Sequence, residues 1–271
     1  PQVIRDGVVY IRLIEGRYGK ILVEGNKKIL DKYVTDRIGA SAGQLSDLNK
    51  LQEELHFYNN TNNCQLSAEL HPGEEVGTSD LVLTLKEPKK DWQSYMFVDN
   101  ANQDESGLYR LGYVAETYGL TGSDDSLLIS PVFTEGTISG VIAYDAPISN
   151  EGTRMNLAYS RNRVKIIDGE MYDKGFDIKA HSNDLSVGIS HPLNVKLLSK
   201  VEAFAEAHHK WSDTLYEGMT IDNEVNSFKI GFNARKYAVG SKDTPEFMDI
   251  NEIPTDPMTG QCAPTQKVNV E

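Results

Sequence analysis

Apolar residues in this chain follow two periods in turn. Val8, Tyr10, Arg12 and Ile14 lie in a short extended run that closes at Gly16. Lys20-Ile21-Leu22-Val23-Glu24 forms a second run, ended by the turn pair Gly25-Asn26. The period then lengthens. Leu30, Val34 and Ile38 are four apart and predict one face of a helix, with Gly39 as its C-cap. Leu45, Leu48, Leu51 and Leu55 predict a second helix, started by Ser46 or Asp47. Asn59, Asn60, Asn62 and Asn63 predict a polar loop. Cys64, Leu66, Ala68 and Leu70 then alternate with Gln65, Ser67 and Glu69. Past Pro72-Gly73, Leu81, Leu83 and Leu85 alternate with Val82, Thr84 and Lys86. The predicted order is strand, helix, helix, strand, strand, in which both helices can cover one face of a three-stranded sheet.

From residue 91 to 240 the period is two throughout. The alternation predicts strands at Gln93–Val98, Tyr109–Glu116, Ser126–Phe133, Ile138–Asp145, Met155–Ser160, Leu185–Ser190, Val195–Glu206 and Phe228–Arg235. Gly119–Asp125, Glu135-Gly136 and Ser149–Gly152 read as turns, and Ile167–Phe176 and Thr214–Val225 as longer loops. About eight antiparallel strands near the length that crosses a tilted bilayer result. A soluble sandwich buries the apolar face of such a pattern. A transmembrane barrel turns that face to lipid and the polar face to an aqueous lumen. The polar set is small or charged, as a hydrated lumen allows. Tyr109, Tyr113, Tyr144 and Tyr159 belong to the apolar set, near strand ends where aromatic girdles sit.

Charge sharpens the division. The chain of 271 residues carries a formal net charge of −13. Residues 1–89 hold 11 Lys/Arg against 13 Asp/Glu, and the remainder 16 against 27. An acidic second half argues against nucleic acid, whose phosphates need a basic surface. No run of 18 apolar residues occurs, which excludes a spanning helix and leaves a barrel open. Cys64 and Cys262 form neither a disulfide framework nor a metal spacing, and both are expected unpaired. Pro1-Gln2-Val3-Ile4 reads like the middle of a protein, and no signal peptide opens the chain.

Catalytic constellations are absent from the pattern, and the chain reads as no enzyme. His208 and His209 are neighbours on a strand and point to opposite faces, so they cannot readily share a metal. His181 and His191 have no ligand set around them. Asp124-Asp125 falls in a predicted turn that Asp suits, and Asp222 and Glu224 lie near a predicted loop. No phosphate-binding glycine motif and no Gly-x-Ser-x-Gly occurs. No cofactor is expected.

Several segments carry a resemblance. Gly16-Arg17-Tyr18 with Val23-Glu24-Gly25-Asn26, then Leu70-x-Pro72-Gly73 and Gly77-Thr78-Ser79-Asp80-Leu81, resemble a POTRA domain, the polypeptide-transport-associated module. Val98-Asp99-Asn100 followed by Ser106-Gly107-Leu108-Tyr109-Arg110 resembles a first barrel hairpin. In this order the segments resemble the TpsB family, outer-membrane transporters of two-partner secretion. The resemblance implies an α+β POTRA domain (β-α-α-β-β) over 15–89, followed over 90–271 by antiparallel transmembrane strands, the N-terminal part of a 16-stranded β-barrel. Residues 1–14 would be the last strand of a preceding POTRA domain. The later barrel segment with a Val-Arg-Gly-Tyr motif is not found, and the tail from Ser241 matches no known pattern.

The family also implies a partner and a place. The partner is an unfolded TpsA-type exoprotein, recognised through its N-terminal secretion domain. The place is the bacterial outer membrane, with the POTRA domain in the periplasm. An unfolded chain can add a strand to a sheet edge. The expected edge is Gln65, Leu66, Ser67, Ala68 and Glu69, beside the helix stripe Leu48, Leu51 and Leu55, and a proline at Gln65 or Ser67 should remove a donor there. The expected pore lining is Arg110, Glu116, Lys196, Lys200, Glu202, Glu206, Lys229 and Arg235, with Leu197 and Ile230 on the lipid side. Two other readings fit the pattern: an outer-membrane insertase barrel and a soluble β-rich binding protein.

Overall fold

The computed structural model describes residues 3–5, 8–10, 15–88, 90, 92–196 and 199–236. Contacts divide the chain into two units, Pro1–Glu87 and Pro88–Glu271. The first unit opens with a short antiparallel pair, β1 (Val3–Arg5) and β2 (Val8–Tyr10), where a single strand was expected. Then come β3 (Arg17–Glu24), α1 (Asp31–Ile38), α2 (Leu48–Thr61), β4 (Gln65–Pro72) and β5 (Thr78–Lys86). β5 is central: it pairs parallel to β3 and antiparallel to β4.

Its core follows from the alternation. Leu66, Ala68 and Leu70 stand opposite Leu85, Leu83 and Leu81. Ile21 and Val23 flank Leu81 and Leu83 from the other side. Leu66, Leu81, Leu83 and Leu85 are buried with Ile29, Val34, Ile38, Leu51 and Tyr58. α1 ends where Gly39 takes the left-handed φ of 63° and donates to the Thr35 carbonyl. α2 starts at Asp47, whose carboxylate accepts from Asn49 N (3.0 Å) and Lys50 N (3.1 Å). Such a cap contributes about 1 kcal/mol.

Three details depart from the periodicity. Leu30 is the exposed residue preceding α1, and Leu45 precedes α2, bridged to Arg17. Asn59 and Asn60 are helical. Their amides find partners that offset a weak helix propensity: Asn60 donates to the His56 carbonyl at 2.8 Å, and Asn59 reaches β4.

The motif Gly77-Thr78-Ser79-Asp80-Leu81 has a structural task. Gly73 N donates to Thr78 O (3.0 Å) and Arg17 N to Gly77 O (2.9 Å), so the hairpin loop anchors the start of β3. The β3–β5 register shifts between Tyr18 and Ile21. Asp80 fills that shift by accepting from Lys20 N at 2.7 Å, and a Cβ at Gly19 would collide with its carboxylate.

The second unit is one meander of eight strands: β6 (Trp92–Asp99), β7 (Arg110–Tyr118), β8 (Ser126–Phe133), β9 (Thr137–Pro147), β10 (Arg154–Lys165), β11 (Ile178–Lys196), β12 (Ser199–Tyr216) and β13 (Met219–Lys236). Each pairs antiparallel with its chain neighbours. β6 and β13 form the two edges. A four-residue helix, α3 (Glu170–Asp173), lies within the β10–β11 connection.

Two expectations of the sequence fail here. The strand predicted over Val195–Glu206 is the end of β11 and the start of β12, with Lys196 paired to Ser199. Thr214–Val225 is not a loop: β12 and β13 turn at Glu217 (φ 50°) and Gly218 (φ 77°), so Asp222 and Glu224 are strand residues. Two consecutive positive φ values give the tight turn whose twist matches the flanking strands. Leu197, Cys262 and the tail from Ser241 lie outside the described residues.

Candidate strand-capture edge and transport face

β4 is a sheet edge, and Asn59 defines how much of it is open. The Asn59 side chain accepts from Leu66 N at 2.7 Å and donates to Leu66 O at 2.9 Å. Both backbone groups of Leu66 therefore point away from β5. Inward and outward residues alternate in an antiparallel pair. Gln65, Ser67 and Glu69 thus bond to β5, while Ala68 and Leu70 present their backbone to the open side. Gln65 and Ser67, expected to hold the free donors, are turned inward. The helix stripe divides as well: Leu51 is buried core, Leu55 half-buried and Leu48 61% exposed. Leu70 is 38% exposed on the side of the sheet that holds the core. The signal missed in the sequence was Asn59, hidden in an asparagine-rich run read as loop.

The eight-stranded sheet has two chemically distinct faces, traced by register. Leu127, Tyr144 and Leu157 follow one another across β8, β9 and β10; Leu157, Val187, Ala207 and Phe228 continue across β10 to β13. One pair further along, Met155, Ile189, Ala205 and Ile230 repeat the pattern. Among the described residues of this unit, nothing covers this face. Phe228, Ile230 and Phe232 are each more than 65% exposed. A sandwich would require a second sheet over them, and the described residues of this unit form only one.

The edge of the apolar band slants across the hydrogen-bonded rows. On β9 it extends to Ile138, whose partner on β10 is Arg163, while on β10 it stops at Tyr159. On β13 it stops at Phe228. Strands tilted in a bilayer produce this slant, because rows perpendicular to a tilted strand climb relative to the membrane plane.

The opposite face carries seven of the eight expected lining residues: Arg110, Glu116, Lys200, Glu202, Glu206, Lys229 and Arg235. Lys196 does not join them. Pro192 has no N–H to give the ladder, and the register shifts between Pro192 and Asn194. Beyond that bulge Val195 shares the face of Lys200, and Lys196 takes the other.

Several charges on the polar face are held in pairs, though among the described residues Glu116 and Arg235 form none. Arg110 donates to both Asp99 carboxylate oxygens, at 2.7 and 2.8 Å, with its guanidinium 5.9 Å from the Phe97 ring centre. Lys200 meets Glu202 at 2.7 Å. Lys229 and His208 both approach Glu206, at 3.4 and 3.5 Å, and His208 reaches Asp184 at 3.3 Å. Aromatic residues on this face lie over glycines. A Cβ at Gly112 would overlap the Phe97 ring, and one at Gly231 would stand 2.8 Å from Phe204. A hollow of about 400 Å³ opens here, lined by Asp145, Arg154, Asn156, Glu202, Glu206 and Lys229 among others. Mixed charge suits a path for a chain of varied sequence rather than one tight ligand.

The turn between β7 and β8 holds two carboxylates whose importance the sequence did not reveal. Asp124 and Asp125 are fully buried. Asp124 meets Arg154 at 3.1 Å, and Arg154 also pairs with Asp145. Asp125 accepts from Thr121 Oγ1 (3.0 Å), Thr121 N (3.2 Å) and the Tyr144 hydroxyl (2.9 Å). Among the described residues, no group of His, Cys, Asp and Glu has the arrangement of a metal site.

Comparison with known proteins agrees with this geometry. The chain is 25% identical over 245 residues to the heme/hemopexin transporter protein HuxB of Haemophilus influenzae strain 86-028NP. The match covers 86% of this chain and 42% of that protein. HuxB of strain KW20 is 26% identical over 211 residues, covering 74% of this chain and 36% of that one. CdiB from Escherichia coli superposes with a TM-score of 0.67 at 20% identity, over 88% of this chain and 46% of CdiB. The chain is TpsB-like. CdiB from Acinetobacter baumannii gives a TM-score of 0.63 at 19% identity, over 86% of this chain and 45% of that one. BamA from Haemophilus ducreyi, solved without its POTRA domains 1–3, gives 0.57 at 10% identity, over 84% of this chain and 46% of that one. No family model matches. The TpsB-like chain thus spans under half the length of the relatives it matches, and its second unit has the fold of outer-membrane β-barrel transporters.

Proposed function

We propose that this chain is the POTRA-and-early-barrel portion of a two-partner secretion transporter in the bacterial outer membrane. Residues 15–89 are the POTRA domain, in the periplasm, and residues 1–14 end a preceding one. Residues 90–271 begin a barrel of 16 strands. An unfolded TpsA-type exoprotein adds a strand to β4 at Ala68–Leu70, then passes along the polar face to the cell surface. The single observation that carries this reading is the eight-strand meander whose uncovered apolar face backs a face of mixed charge. The uncovered apolar face speaks against a soluble binding protein, and the higher TM-scores of the CdiB structures favour export over insertion.

The test has two arms. The chain is floated with lipid vesicles, and its β4 edge is probed with the N-terminal secretion domain of a TpsA-type exoprotein. Strand-rich protein that floats and retains the secretion domain supports the proposal. A monodisperse, strand-rich species in detergent-free buffer overturns it.

A further inference from the structure

On β10 the apolar face ends at Tyr159. The next three residues on that face are Arg161, Arg163 and Lys165, all exposed. β11 sets His181 directly opposite Arg163 and Lys179 directly opposite Lys165. The Lys165–Lys179 pair sets like charges directly opposite each other, where they repel and favour a nearby anion. Lys179 has Asp177 at 2.6 Å, and His181 has Asp213 at 2.8 Å. Among the described residues, Arg161, Arg163 and Lys165 form no ion pair. On β10 these cations form a basic strip in a chain of net charge −13, while the same face of β12 and β13 carries Asp213, Asp222 and Glu224 in the rows of Arg163 and Arg161.

Its position matters as much as its sign. The Tyr159 ring centre lies 6.3 Å from that of Trp211, which is 5.1 Å from the ring of His209. This aromatic row borders the apolar band, where a membrane barrel places its girdle. The cations stand one step beyond it, on the lipid side, at headgroup depth. They sit at the rim opposite Trp92, the residue that begins the first strand of the sheet.

We propose that Arg161, Arg163, Lys165 and Lys179 bind the phosphate groups of an anionic glycolipid in the outer leaflet of the membrane. The inference rests on the membrane reading above and adds a ligand site on the outer wall. Guanidinium forks match phosphate oxygens bidentately, and two arginines at alternate positions offer two such forks about 7 Å apart along the strand. Each basic residue near an anionic lipid surface contributes roughly fivefold in affinity, so losing two should weaken binding about 25-fold.

The test uses the full chain with Trp92→Phe, which leaves Trp211 as the sole tryptophan beside the site. Trp211 emission is followed in maltoside micelles during titration with bisphosphorylated lipid A, with dephosphorylated lipid A and with phosphatidylglycerol. The expected result is a saturable change with bisphosphorylated lipid A only, weakened about 25-fold by Arg161→Gln with Arg163→Gln and retained by the paired Lys variants. Unchanged affinity in the Gln variant, or equal binding of phosphatidylglycerol, overturns the proposal. Heat-dependent gel mobility confirms that each variant is folded. Vesicle flotation separates the two readings: a chain that floats but shows no lipid A preference overturns this inference alone, while one that does not float overturns the membrane reading with it.

Discussion

The Asn59 side chain brackets the backbone of Leu66 as a neighbouring strand would, accepting from its N–H and donating to its carbonyl. A free sheet edge invites unwanted pairing, and this amide closes the first position of one. Asn59→Ala should therefore have two opposite effects. The module should lose roughly 1–3 kcal/mol, because Leu66 is buried and its backbone groups lose their partners. Strand addition should strengthen, because the open edge lengthens by one residue. Urea unfolding reads the first effect and titration with the secretion domain the second. An Ala variant that binds more weakly would mean that Asn59 takes part in capture rather than limiting it.

Proline scanning of β4 distinguishes the edge from the ladder. Ala68 points its N–H to the open side, so Ala68→Pro should weaken capture while leaving the β4–β5 pairing in place. Ser67→Pro removes a donor to β5 and should unfold the module instead. Circular dichroism beside a binding titration separates them. Loss of fold in Ala68→Pro with Ser67→Pro still folded would show that the inward and outward residues have been assigned the wrong way round.

Much of this arrangement is legible in the sequence, because it follows from period. The change from a spacing of two to one of four at Leu30 marks the helices, and the return to two at Cys64 marks the sheet. What the period cannot carry is a contact between distant residues. Asp124 looks like a turn residue until Arg154, thirty positions on, reaches it. Lys196 shares its parity with Lys200 and Glu202, and only Leu197 and Leu198 separate β11 from β12, with no Gly, Pro or Asn to signal a turn. The apparent face therefore runs unbroken through a reversal of the chain and a bulge. Asn59 reads as loop for a similar reason, since its partner Leu66 lies on the next strand, while Asn60 is helical with only a bond to the His56 carbonyl one turn back.

Arg154 is the partner that keeps the buried Asp124 charge tolerable. Arg154→Ala should destabilise the sheet by about 3–5 kcal/mol, as removing one member of a buried pair leaves the other uncompensated. Arg154→Ala with Asp124→Asn should recover part of that loss. Unfolding of the detergent-solubilised chain, followed by heat-dependent gel mobility, reads both. A double variant no more stable than the single one would show that Asp145 or the turn backbone is the partner that counts.

Lys20 and Glu74 provide a pH signature in the first unit. The hydrogen bond to Glu74, and then its charge, raise the Lys20 ammonium above its ordinary pKa. A raised pKa means that the folded state holds the proton more tightly. The stabilisation is complete below the unfolded value of about 10.4, and is lost as pH climbs through the folded value. The pair is exposed, so the effect is small and screened by salt. Thermal melts of the wild type and Glu74→Gln should differ at pH 8 and converge at alkaline pH. Parallel curves at every pH would remove the pair from the account.

The facing of the sheet is open to a direct test, because neighbouring residues on β13 take opposite sides. Ile230 shares a row with Ala205 and Ile189, whereas Asn233 stands opposite Glu202. On a lipid face near the midplane, Ile230→Arg should cost roughly 2–4 kcal/mol, falling towards either interface. Asn233→Arg places the same charge beside a carboxylate on the polar face and should be close to neutral. Reversible unfolding from vesicles compares the two. If Ile230→Arg is tolerated and Asn233→Arg is not, the Ile230 face meets water, the opposite face is the one that is buried, and the sheet must be read inside out.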